Sequence, residues 1–139
     1  QIAETQGTAP NYPIISDNQH EIAKAYGMLP ADVEGDPTER TPVQNQTLRN
    51  VFVIGPDKKI KLILVYPMTT GRNFDEVLRV IDSLQRTAEN KVATPAQWQP
   101  GDDVIIAGSV TDDEAKETYP DGWEQPLPYM RIVPDPAAK

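Results

Sequence analysis

Proline restricts this chain more than any other residue. It occupies fourteen of the 139 positions, and each one removes a backbone donor and is excluded from helix interiors and central strands. Pro30, Pro37 and Pro42 fall between Met28 and Gln46, a stretch with no hydrophobic period, which predicts a long surface loop. Seven more occur from Pro95 onward, so the last third should be short elements on an extended arm. Regular structure is left to the intervals between. With 38% hydrophobic residues, the chain is too apolar for full disorder and has modest material for a core.

Those intervals predict a definite order of elements. Ile2–Gln6 reads as the last turn of a helix closed by Gly7 at C′. Tyr12–Ser16 is a short apolar run expected as a buried strand. Asn18 and Glu21 have capping-box spacing, with Ile22, Ala23 and Tyr26 following helically to Gly27. Asn50–Ile54 is almost continuously apolar, hence a strand covered on both faces. Gly55–Lys59 is a turn, and Ile60–Tyr66 is the return strand, its lysines at 59 and 61 marking an edge. Asn73 and Glu76 cap the strongest helix. Its apolar stripe of Phe74, Val77, Leu78, Ile81 and Leu84 predicts about three turns, with the period lost after Arg86. Beyond it, Asp103–Ala107 reads as a strand, Thr111–Tyr119 as an acidic helix capped by Thr111 and Glu114, and Tyr129–Val133 as a last strand. A boundary near Glu89–Val92 divides residues 1–90 from residues 91–139. The fold class expected is α/β, with a small α+β tail and a core thin enough to need more chain or a partner.

Charge narrows the partners. The net charge is −8, and residues 101–139 carry nine acids against three bases, a balance that repels phosphate backbones and anionic lipid. Nucleic acid and membrane are therefore excluded as expected partners. No apolar run reaches the length of a membrane span, no signal-peptide pattern opens the chain, and the expected location is cytoplasmic. The first residue is Gln1, which gives the expectation of a processed or truncated chain.

Chemistry is limited by what is missing: there is no cysteine and one histidine, His20. Disulfides, thiolate metal sites and a cysteine nucleophile within these residues are ruled out. His20 is expected at the surface beside a helix start. Asp32, Glu34 and Asp36 have the alternate spacing of a calcium loop, but Pro37 stands where that loop needs glycine and Val43 where it needs glutamate. No metal and no cofactor is expected. Trp98 and Trp123 lie in proline-rich segments and read as anchors for the arm. Two arginines remain. Arg49 opens a buried strand, where an unpaired charge is costly. Arg72 directly precedes a capped helix whose N-terminus is electropositive. Side by side, they could bind an anion or hold a thiolate ionised; apart, they would be two ordinary salt bridges.

Longer stretches carry a resemblance. Pro13-Ile14-Ile15-Ser16-Asp17, Tyr26-Gly27-Met28-Leu29, Arg49-Asn50-Val51-Phe52-Val53-Ile54-Gly55-Pro56-Asp57, Tyr66-Pro67-Met68-Thr69-Thr70-Gly71-Arg72-Asn73-Phe74-Asp75-Glu76 and Val92-Ala93-Thr94-Pro95-Ala96-Gln97-Trp98 occur in an order that resembles the one-cysteine peroxiredoxins. The resemblance implies a partial thioredoxin-like fold for residues 1–90 and a C-terminal dimerisation arm for residues 91–139. It implies a thiol-dependent peroxidase that reduces hydrogen peroxide and organic hydroperoxides in redox homeostasis, with an external thiol or other small reductant. Arg49 is similar to the family's active-site arginine and Arg72 to a second one bordering that site. Asp57 is similar to an acid of a phospholipase site in animal relatives, whose serine and histidine partners have no match here. The family's Pro-x-x-x-Thr-x-x-Cys motif is also without a match, so these 139 residues alone are expected to be inactive. A catalytically inactive dimerisation fragment is the alternative. The implied homodimer pairs the edge strand bearing Ile60, Leu62, Leu64 and Tyr66 with its symmetry mate.

Overall fold

The computed structural model describes residues 2–30 and 33–137. The chain forms two compact units, one built from residues up to Val51 with Leu64–Thr70, the other from Phe52–Ile63 and the chain from Gly71 on.

The first unit is mostly loop. Helix α1 (Ile2–Gln6) stops at Gly7, which takes φ +67°, a conformation open to glycine at little cost. The expected strand at Tyr12–Ser16 does not form: the segment is irregular and Ile15 is 76% exposed. A strand requires a ladder partner, and no described residue supplies one. Helix α2 (Glu21–Ala25) begins as predicted, but its cap is Asp17, not Asn18. The Asp17 carboxylate accepts from the N–H groups of Ile22 (3.1 Å) and Ala23 (2.8 Å). Desolvation opposes ionisation of this carboxyl, but the Ala23 and Ile22 donors outweigh it and hold its pKa below the ordinary range. His20 is half-buried at φ +55°, not exposed as expected, and its Nδ1 is enclosed without a hydrogen bond. Residues 28–30 and 33–50 form no helix or strand, so the loop expected to end at Gln46 runs four residues further, closed on itself where the Leu48 N–H donates to the Met28 carbonyl at 2.7 Å.

A hairpin of β1 (Val51–Ile54) and β2 (Ile60–Leu64) lies in the second unit except for its end residues Val51 and Leu64, its turn closed by Gly55 N–H to the Lys59 carbonyl. A Cβ at Gly55 would lie 2.6 Å from Lys61 Cε and 2.8 Å from Asp57 Oδ1, so the Asp57–Lys61 ion pair (2.8 Å) closes over this glycine. β1 is half-buried rather than covered on both faces, and β2 ends two residues before the predicted Tyr66. Helix α3 (Phe74–Glu89) starts where Asn73 Oδ1 accepts the Glu76 N–H. It runs one turn past the apolar period, held by Asn90 donating to the Arg86 carbonyl through both its backbone and its side chain. None of its residues is fully buried. Phe74 is 67% and Leu78 61% exposed.

Density is concentrated after α3. Strands β3 (Val92–Ala93), β4 (Val104–Ile106), β6 (Met130–Val133) and β5 (Glu124–Leu127) form an antiparallel sheet in that spatial order. Helix α4 (Asp112–Thr118) carries the predicted capping box of Thr111 and Glu114. Val92, Trp98, Val104, Ile106, Val110, Ala115 and Val133 make one core. Trp98, 1% exposed, donates its indole N–H to the Asp102 carbonyl at 3.0 Å. Arg131 is buried beside this core: it donates to Asp112 Oδ1 and to the Ala107 and Val110 carbonyls, with the Trp123 ring 5.8 Å away. β3 and β5 were not foreseen. One has two residues and the other contains Pro126 at a sheet edge, which is where proline is tolerated.

Candidate active site

Arg49 lies in the first unit and Arg72 in the second. The Leu48 N–H bond to Met28 fixes the backbone just before Arg49, at the point where loop becomes strand. Its side chain is half-buried and makes no hydrogen bond or ion pair among the described residues. Arg72 is positioned between the Pro67–Thr70 turn, closed by a 3.0 Å bond, and the N-cap Asn73. It too is half-buried and without a partner among the described residues.

One acid close to Arg72 in sequence is engaged elsewhere. Glu76 takes both of its oxygens to Arg79, at 2.6 and 2.8 Å. That fork holds the Glu76 carboxyl below its ordinary pKa and raises Arg79, the Glu76–Arg79 hydrogen bonds being the main cause in each case. Arg72 is left with the electropositive end of α3 behind it. A guanidinium that is half desolvated and unpaired favours any anion that reaches it, whether a thiolate, a carboxylate or an oxygen gaining charge. Asp57 is committed to Lys61 and to the Lys59 N–H, and Lys61 is the main reason its carboxyl is held below the usual range. No group of histidine, acidic or thiol side chains suited to a metal occurs among the described residues.

The edge strand shows a clear alternation. Leu62, Leu64 and Tyr66 are half-buried, while Lys61, Ile63 and Val65 are exposed. Ile60, at the start of the same set, is 51% exposed. The only ladder neighbour of β2 among the described residues is β1, so its other edge is open.

Residues 1–63 match the AhpC/TSA family, and residues 83–122 match the C-terminal domain of 1-Cys peroxiredoxin. A 1-Cys peroxiredoxin of Medicago truncatula is 49% identical over 88% of this chain and 53% of its own length. Peroxiredoxin-6 of Gallus gallus is 49% identical over 90% of this chain and 56% of its own. The chain is thus similar to the one-cysteine peroxiredoxins along most of its own length. It spans about half the length of the curated relatives it matches. Among solved peroxiredoxins, a cysteine-to-serine mutant of the peroxiredoxin 6 of Arenicola marina superposes with a TM-score of 0.78 at 46% identity. It covers 98% of this chain, which covers 62% of it. A yeast mitochondrial 1-Cys peroxiredoxin gives a TM-score of 0.80 at 45% identity, over 96% of this chain and 61% of that one. The α/β architecture is thus a partial thioredoxin-like peroxiredoxin fold. These peroxiredoxin residues contain no cysteine, and no helix among the described residues is long and apolar enough to cross a membrane.

Sequence reading passed over a set of side chains that join α3 to the sheet behind it: Arg79, Ser83 and Arg86, with Thr94 and Asp135 opposite. Their i, i+4, i+7 spacing was visible, but a polar stripe on a helix reads as a solvated face unless something is known to lie against it.

Proposed function

We propose that this chain supplies the activating arginines and the dimerisation arm of a thiol-dependent peroxidase acting on hydrogen peroxide and organic hydroperoxides. The peroxidatic cysteine comes from sequence outside these 139 residues. In the reaction, the cysteine thiolate attacks one peroxide oxygen. The O–O bond breaks, an S–O bond forms, and the leaving oxygen departs with a proton as water or an alcohol. The resulting sulfenic acid is returned to thiol by an external thiol or comparable small reductant. Arg49 faces the cysteine in this reading. Its planar donor fork favours thiolate over thiol and holds charge developing on the cleaved bond. Arg72, at the α3 N-terminus, adds positive charge at the border of the site.

The observation that carries the reading is the pair of half-buried guanidiniums without partners, in a chain so similar to one-cysteine peroxiredoxins. The test uses protein that carries the peroxidatic cysteine. Arg49→Met should raise the cysteine pKa and slow peroxide reduction roughly a hundredfold. Arg49→Lys should be nearly as slow, because an ammonium keeps the charge but not the fork. A folded Arg49→Met protein with both quantities unchanged would make Arg49 structural. The 139-residue chain alone should not consume hydrogen peroxide above a buffer blank, and turnover in metal-free conditions would overturn this account.

The same reading assigns residues 1–90 to the core and residues 91–139 to the arm. It makes the protein a cytoplasmic homodimer through Ile60, Leu62, Leu64 and Tyr66. The open edge of β2 supports isologous strand pairing. Leu64→Pro should give monomers or unfolded chain by sedimentation. A well-folded dimer carrying this substitution would place the interface elsewhere.

A further inference from the structure

The joint between α3 and the sheet is polar. Arg79 Nη1 donates to the Trp98 carbonyl at 3.4 Å, Ser83 Oγ meets Thr94 Oγ1 at 2.7 Å, and Arg86 Nε lies 3.0 Å from Asp135 Oδ1. Three successive positions on one helix face thus reach two segments of the following chain, Thr94–Trp98 and Asp135. No α3 side chain belongs to the core built from Val92, Trp98, Val104, Ile106, Val110, Ala115 and Val133, and the partly buried apolar side chains packed against that core, Ala107, Tyr119 and Trp123, all lie outside α3. Beside the joint runs an open cleft of about 250 Å³ lined by Asp82, Gln85, Arg86, Glu89, Trp98 and Pro100, so the two parts do not close tightly.

The ion pair stands out within this seam. The Asp135 side chain is 1% exposed and that of Arg86 is 18% exposed. Asp135 Oδ1 also accepts the Ala137 N–H at 3.1 Å, while Asp135 Oδ2 and Arg86 Nε are enclosed with no well-directed hydrogen bond, so the pair is held by charge. A buried carboxylate with one cationic neighbour depends on that neighbour to remain charged where it is. The chain between helix and sheet, meanwhile, is an extended link: Asn90 has φ −127° and ψ 142°, and β3 begins two residues later.

We propose that residues 92–137 are a self-contained module that undocks from α3 as one body about the Asn90–Lys91 link, with the Arg86–Asp135 pair as its lock. Apolar burial holds residues 92–137 together, and α3 contributes no buried apolar side chain to the joint. Polar joints of this kind permit relative motion of the bodies they connect. Separation breaks three polar contacts that water can replace, and leaves the sheet core intact.

The test uses protein that carries the peroxidatic cysteine, with every cysteine outside these 139 residues changed to serine. Asp75→Cys and Glu117→Cys are added for nitroxide labels at two exposed positions, and the sample is diluted with unlabelled protein so that only pairs within one chain are read. Inter-label distances would be read by pulsed electron resonance, and protection of the Val104–Ile106 amides by hydrogen exchange. Adding Asp135→Asn should increase the population of long distances at least fivefold while those amides stay protected. The charge swap Arg86→Asp with Asp135→Arg should restore the short distance. If Asp135→Asn fails to fold, Arg86→Gln provides the same comparison from the helix side. An unchanged distance distribution in these variants would overturn the proposal. So would loss of amide protection in step with opening, because the pair would then belong to the module's own stability.

Discussion

The segment before β1 and the module after α3 are similarly rich in proline, yet they differ sharply in what they bury. Among the described residues between Gly7 and Asn50 the only buried apolar side chain is Ala23, while Tyr12, Ile14, Ile15 and Val43 face solvent. Between Val92 and Val133 seven apolar side chains close into one core, with Trp98 among its most buried members. Hydrophobicity does not separate the regions, because Ile14 and Ile15 are as apolar as Ile105 and Ile106. Partners do. The module contains four strands that pair with each other and a helix that caps them, so its elements cover one another. Among the described residues the earlier segment has two one-turn helices and no ladder, so most of its apolar side chains stay exposed. A core is a property of mutual coverage, not of composition.

This contrast can be tested by substitution. The largest effect is expected from Trp98→Ala, which empties the centre of the module and strips the Asp102 carbonyl of its donor. A loss of about 3–5 kcal/mol is expected for an aromatic of this burial. It should appear in urea unfolding followed by Trp123 emission. An effect under about 1 kcal/mol would mean that the module is not the stability centre of the chain.

An intermediate effect is expected at the α4 cap. Thr111→Ala removes the hydroxyl that accepts the Glu114 N–H and donates to its carboxylate, for a loss of about 1 kcal/mol. Glu114 adds a pH signature. The Thr111 backbone N–H, the Thr111 hydroxyl and the Lys91 charge, in that order, hold its carboxyl below the ordinary range. A carboxyl with a depressed folded-state pKa stabilises fully above its unfolded value, about 4.3, and this contribution disappears as pH falls through the folded value. The difference in urea midpoint between wild type and Thr111→Ala should therefore shrink, without vanishing, as pH falls from 6 to about 3. A difference that stays constant over this range would show that the Glu114 carboxylate contributes nothing to the cap.

The smallest effect is expected at Ile15→Ala, within about 0.5 kcal/mol, because an exposed side chain loses little on truncation. A loss of 2 kcal/mol in the same urea titration would show that this segment is covered in solution and that the comparison of the two regions fails.

Local chemistry was legible in the residues themselves. Asn73 and Thr111 announce their helices through side-chain oxygens placed to accept the N–H three residues on, and both bonds form. Gly7 and the Gly55–Lys59 turn follow from backbone freedom at glycine and from the chemistry of a tight reversal. Ordered motifs, whose residues are adjacent in the chain, identified the peroxiredoxin relationship. Arg49 and Arg72 could be singled out because each sits at the start of an element, where a charge needs a reason.

What sequence left undetermined depends on contacts between residues far apart in the chain. The strand expected at Tyr12–Ser16 had the right composition and no neighbour. The Asn18 cap lost to Asp17, whose carboxylate reaches two N–H groups once the chain turns at His20. The seam on α3 could not be read from Arg79, Ser83 and Arg86, because its meaning lies in Trp98, Thr94 and Asp135, as many as forty-nine residues away. Arg131, likewise, looks like an ordinary strand charge until Asp112 and the Ala107 and Val110 carbonyls converge on it. Caps, turns and motifs draw their free energy from neighbours a few residues away, so the sequence by itself determined them. Strand pairing, burial and the α3 joint draw theirs from surfaces that meet only when the chain folds, and the tertiary structure alone decided those.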